Sequence, residues 1–225
     1  MKSGIQIIQR RNYKHVLGML IISICISANT WAGMDDGELV TAAGKGDLSR
    51  VKALLDANAN VNAKADGGTT ALIAASQNGY EEVVQMLLAA KADVNAKTGN
   101  CTTALMRAAQ KGHEQVVQEL IAAKADVNAR REDGITVLMQ ASQEGHPRIV
   151  QMLLAAGANV DARLDNGATA LMLASQIGDA AVVKALLAKK ANVDAKAGNG
   201  VTALMLASKY RHQDVVKLLK AAGAR

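Results

Sequence analysis

The chain has 225 residues and a formal net charge of +6, from 26 Lys and Arg against 20 Asp and Glu. All 20 acids follow residue 32, whereas four bases precede it. Residues 33–225 therefore hold 22 bases against 20 acids, a net of +2 that removes the charge argument for a nucleic-acid partner. Half the chain is apolar but only 2% is aromatic, which puts the core on Ala, Leu, Val and Met.

The N-terminus reads as an export signal. Lys2, Arg10, Arg11 and Lys14 form a basic region, and the almost uncharged, apolar run 16–27 follows. Thr30 and Ala32 then stand where a signal peptidase needs small residues, before a cut at Gly33. The alternative is an uncleaved anchor, but a run of 12 residues is short against the span of about 20 that a membrane requires. Arg10-Arg11-Asn12-Tyr13 is a faint twin-arginine pattern, and an ordinary secretory signal is the simpler reading. Cys25 follows Ile24, which is wrong for a lipoprotein signal. Cleavage would remove Trp31 and Tyr13, leaving Tyr80 and Tyr210 as the only aromatic side chains.

From residue 33 onward the chain repeats. Thr70-Ala71-Leu72 returns as Thr103-Ala104-Leu105, Thr136-Val137-Leu138, Thr169-Ala170-Leu171 and Thr202-Ala203-Leu204, each time after 33 residues. Asn60-Val61-Asn62-Ala63 keeps step with it through Asp93, Asp126, Asn159 and Asn192. A fixed period of this length implies a stacked array in which each unit buries its apolar face on its neighbours. Within a unit, Val83, Val84, Leu87 and Leu88 make one apolar helix face, and Val116/Val117/Leu120/Ile121, Ile149/Val150/Leu153/Leu154 and Val182/Val183/Leu186/Leu187 repeat it. Glycines fall between the helices at 46, 79, 112, 145 and 178.

This order (a Gly-rich turn, Thr-Ala-Leu, a short helix, a second helix, then Ala-Asp-Val-Asn-Ala) resembles the ankyrin repeat. The resemblance covers about residues 34–225. It implies an all-α solenoid of about six helix-turn-helix units joined by β-turn or hairpin loops. The units read as an N-terminal cap at 33–64, four inner units at 65–97, 98–130, 131–163 and 164–196, and a C-terminal cap at 197–225. The family's usual Thr-Pro-Leu-His is here Thr-Ala-Leu-Met or Thr-Ala-Leu-Ile, which should cost a little turn rigidity. Asp36 and Glu38 at one end, with Arg211 and Lys220 at the other, suit outer faces turned to water.

No catalytic set rises above the repeat. His113, His146 and His212 share one register position, about one unit apart at best, too far to share a metal whose bonds to His are roughly 2 Å. Ser76, Ser142, Ser175 and Ser208 recur as packing residues rather than as nucleophiles with a base. The Gly turns lack a phosphate-loop context. No cofactor and no metal is therefore expected. Cys101 takes the turn position held by Gly68, Gly134, Gly167 and Gly200, where it reads as a neutral substitution or, alternatively, as a reactive thiol. Lys64, Lys97, Arg130, Arg163 and Lys196 should line up as a basic ladder, either for an anionic partner or as ordinary repeat residues.

The places that vary in register are free for a partner. On the first helices they read Ala74/Gln77/Asn78, Arg107/Gln110/Lys111, Gln140/Gln143/Glu144, Leu173/Gln176/Ile177 and Leu206/Lys209/Tyr210. The resemblance implies that this face lines the concave, binding side of the array. The expected contact residues are Arg107, Lys111, Gln143, Glu144, Leu173, Ile177, Leu206 and Tyr210, running from basic to apolar. Leu173 and Leu206 have a second reading as core. The expectation is an exported, bacterial-type array, periplasmic and monomeric. It would bind a protein without catalysis, with no nucleic acid and no stable membrane insertion once cut. The alternatives are a secreted effector imitating host ankyrin proteins and a redox protein using Cys101.

Overall fold

A computed structural model describes residues 35–225. The signal expected over 1–32, its cut and the anchor alternative lie outside the described residues. Among the described residues twelve α-helices form six pairs. The pairs are α1 Asp35–Lys45 with α2 Leu48–Asp56, α3 Ala71–Asn78 with α4 Glu81–Ala89, and α5 Ala104–Lys111 with α6 Glu114–Ala122. They continue as α7 Val137–Gln143 with α8 Pro147–Ala155, α9 Ala170–Ile177 with α10 Ala180–Ala188, and α11 Ala203–Lys209 with α12 Gln213–Ala221. Odd-numbered helices pack on odd-numbered ones and even on even, so the pairs stack in line. Among the described residues the only β-pairings are two isolated bridges, Lys64 to Thr70 and Arg130 to Thr136.

The Thr-Ala-Leu phrase, with Val137 in place of Ala in one unit, starts the first helix of every unit after the N-terminal cap. The hydroxyls of Thr70, Thr103, Thr136, Thr169 and Thr202 accept from the backbone N–H three residues on, at 3.2–3.4 Å. These threonines are buried, so the cap is shielded from competing water. A side-chain acceptor thus does the starting work expected of the missing proline. Of the second helices, α2 and α10 are capped by Asp47 and Asp179, and α8 carries Pro147 in its first turn.

Leu88, Ile121 and Leu187 are half-buried against the core, whereas the Leu of the phrase (Leu72, Leu105, Leu138, Leu171) and the first three residues of each second-helix face are buried at the inner junctions. Each such side chain contributes about 1.5–3 kcal/mol of transfer free energy. Buried Ala75, Ala108, Ala141 and Ala174 let the first helices approach closely. At the C-terminal end Arg211 and Lys220 are exposed. No helix among the described residues is long and apolar enough to cross a membrane.

Ser76, Ser142 and Ser175 are fully buried in this core, and their hydroxyls have no hydrogen-bond partner. Ala109 holds the same register position in its own unit. Ser142→Ala should therefore leave the urea-unfolding free energy unchanged or raise it by about 1 kcal/mol. A loss of stability would show that the hydroxyl is satisfied.

Candidate functional site

Neighbouring first helices bring the expected contact residues into rows. Lys111, Gln143 and Glu144 are exposed, and Ile177 and Tyr210 remain open to 51% and 45%. Leu173 and Leu206 are half-buried and pack against the core, so their second reading as core holds for part of each side chain. Arg107 is also half-buried, with Nη1 donating to Gln110 Oε1 at 3.3 Å. Gln140 departs from the expected open face. It is only 6% exposed and donates to Glu144 Oε1 at 3.4 Å, because this register position points between adjacent helices. The open row is therefore Gln77/Asn78, Lys111, Gln143/Glu144, Ile177 and Tyr210. Tyr210 is held from its own unit: Lys209 Nζ lies 5.5 Å from its ring centroid and the His212 ring stacks at 6.3 Å.

Met205 is 55% exposed and was not signalled by the sequence. Its counterparts Met106, Met139 and Met172 are buried under the following unit. The four residues are chemically identical, so only position in the stack separates them.

The recurring histidines join units. His113 Nε2 donates to Gln77 O at 3.0 Å, His146 Nε2 to Gln110 O at 3.2 Å and His212 Nε2 to Gln176 O at 2.9 Å. A carbonyl only accepts, so Nε2 carries the proton. Each ring lies on the preceding unit's inter-helix Gly. A Cβ at Gly79 would come within 2.5 Å of His113 Nδ1, and one at Gly112 within 2.7 Å of His146 Cε1. These glycines thus serve close approach as well as positive φ. Among the described residues no group of three or more His, Cys, Asp or Glu is placed to hold a metal.

The basic ladder is largely committed to the same task. Lys64 Nζ donates to Lys97 O at 3.3 Å, Arg130 to Arg163 O at 2.7 Å and Arg163 to Lys196 O. Arg131 pairs with Asp133 at 2.8 Å. The companion phrase stitches the loops. Asn62, Asn95, Asn128, Asp161 and Asp194 each accept from a backbone N–H 31 residues on, at 2.7–3.2 Å.

Cys101 is half-buried and is the only free cysteine among the described residues. Its φ of +61° is the left-handed value that Gly68, Gly134, Gly167 and Gly200 adopt at this position. The substitution is therefore not neutral for the backbone.

A family model described as ankyrin repeats in three copies matches residues 29–98, 97–164 and 138–225. No curated protein matches the chain.

Two variants check these assignments. Gly112→Ala should cost about 2 kcal/mol in urea unfolding, from the positive φ and the displaced His146 ring. An unchanged midpoint would remove the close-approach argument. Cys101→Gly should raise the thermal midpoint, with a gain of about 1 kcal/mol, and a lowered midpoint would show that the thiol packs better than the backbone suffers.

Proposed function

Because the chain belongs to the ankyrin-repeat family, whose members are generally protein–protein interaction modules, we propose that it is a non-catalytic docking protein that holds a protein partner on the open face of its first helices. The observation that carries this reading is the exposure of Ile177 and Tyr210 on adjacent helices. Two large apolar side chains open to water on adjacent helices suggest a contact patch. Lys111 and Glu144 farther along the row would set the orientation of the partner through charge. With only Tyr210 as an aromatic anchor on this row, the affinity should be modest.

The basic-then-apolar N-terminus supports export, with cleavage before Gly33 and action outside the cytoplasm as the fuller proposal. In that setting the array would dock, shield or position its partner as a monomer.

The test is crosslinking in living cells with tagged full-length protein, followed by fractionation and identification of the captured species. One dominant partner is expected. Ile177→Asp and Tyr210→Ala should each reduce its recovery about tenfold while leaving the thermal midpoint unchanged. Full capture by both variants would sink the proposed face, and recovery of the protein mainly outside the cell would shift the search to extracellular or host targets.

A further inference from the structure

The C-terminal end of the stack carries a second surface, which adjoins the first-helix row where Lys209 Nζ lies 5.5 Å from the Tyr210 ring. Register identifies it. Leu171, Met172, Ser175 and Val183 are buried by the unit that follows them. Their counterparts one unit later are Leu204 and Val216, half-buried, and Met205 and Ser208, exposed. This face is built from the side chains that grip a helix pair at the inner junctions. Two seats differ. Arg211 stands where Gly178 receives the His212 ring, and Lys220 stands where Leu187 packs.

The charge on this end is one-sided. Residues 197–225 contain five bases and one acid, Asp214, whose carboxylate lies 3.8 Å from Lys217. Lys209 follows Met205 by four residues and shares its side of α11. At the opposite end Glu38 is paired with Arg50 at 2.5 Å. A face that only needed to be soluble would accept either sign of charge and would not leave Met205 more than half exposed. In the last unit, acids are nearly absent and an apolar floor stays open.

We propose that this end face docks an amphipathic helix of a partner protein, its apolar stripe covering Leu204, Met205 and Val216 and its acidic residues meeting Lys209, Arg211 and Lys220. A helix is the occupant because the same Leu, Met and Val positions receive helices at the inner junctions. The acids follow from charge complementarity with three exposed bases. A further unit of this chain does not fit in register, since Arg211 fills the seat on which its first ring would lie and Lys220 replaces the apolar contact. A polyanion would pair with the bases but leave the apolar floor uncovered. This proposal does not depend on the first-helix row.

The experiment selects, against immobilised full-length chain, from a displayed library of amphipathic helices of about 16 residues, roughly four turns, with Asp, Glu, Lys and Gln varied beside a constant apolar stripe. Enrichment of Asp and Glu is expected. The best peptide, fluorescently labelled, should bind by anisotropy and weaken as salt rises. The double variant Arg211→Gly/Lys220→Gln should lower its affinity about tenfold or more, and Arg211→Gly alone should not lower the thermal midpoint. Lys111→Glu and Ile177→Asp should leave the affinity unchanged. Enrichment of Lys, no enrichment, or affinity unaffected by the double variant would overturn the proposal. Equal, variant-sensitive binding of phosphatidylserine vesicles or of a single-stranded oligonucleotide would also overturn it, as would self-association through the same residues. Sensitivity to Ile177→Asp alone would move the peptide to the first-helix row, ending this proposal while leaving that of the preceding subsection standing.

Discussion

Contact between successive helix pairs is the interaction on which everything else depends. A single pair is too thin to bury its own apolar face, so each unit's core is completed by the next. The last unit shows the consequence directly. Met205 repeats Met172 one period later, and loses its cover because α11 has no following helix packed on it. Around the apolar seam runs a layer of side-chain-to-backbone bonds that cross the junctions: the asparagine and aspartate stitches, the histidine clamps, and the Lys64, Arg130 and Arg163 contacts. Most of these lie near solvent and each adds only about 0.5–1.5 kcal/mol. Their effect is to fix the register of one unit on the next. The Gly–His contacts add shape, since a ring lying on a bare backbone leaves no room for sliding.

This construction separates structural from free positions with unusual clarity. Most residues that a junction uses reappear every 33 positions, whereas a place that changes character along the array holds the stack only locally, as Asn78 does by donating to Gly44 O at 2.8 Å. The open row on the first helices changes from Asn78 through Lys111 and Glu144 to Ile177 and Tyr210. The end face changes differently: its apolar floor is ordinary repeat sequence, and the three bases Lys209, Arg211 and Lys220 stand where earlier units have Gln176, Gly178 and Leu187. One surface therefore arises by variation within the register. The other arises by exposure of what the register normally hides.

Much of this was legible in the sequence, and the departures have specific causes. The period and the buried Leu and Val faces followed from spacing, the helix pairs from the family resemblance, and the polar C-terminal cap from Arg211 and Lys220 in place of Gly and Leu. The histidines were recognisable as register residues, but not as donors to a carbonyl 36 residues back, because that contact crosses a junction. The basic ladder looked available to an anion for the same reason: its carbonyl partners belong to the next unit. Gln140 and Ile177 stand in the same varied set, yet one points between helices and the other into water. Leu173 and Leu206 fall between these cases. Periodicity assigns a residue to a helix face but does not say how much of that face the neighbour covers.

What the sequence by itself determined is the repeating unit: where each helix starts on its Thr, which side is apolar, and where a turn needs positive φ. These depend on nearest-neighbour chemistry along the chain, at separations of three or four residues. The tertiary structure alone decided which polar groups are spent on the adjacent unit and which of several identical residues is exposed. Those outcomes depend on contacts about 33 residues apart and on whether a following unit is present, and no local pattern carries that information.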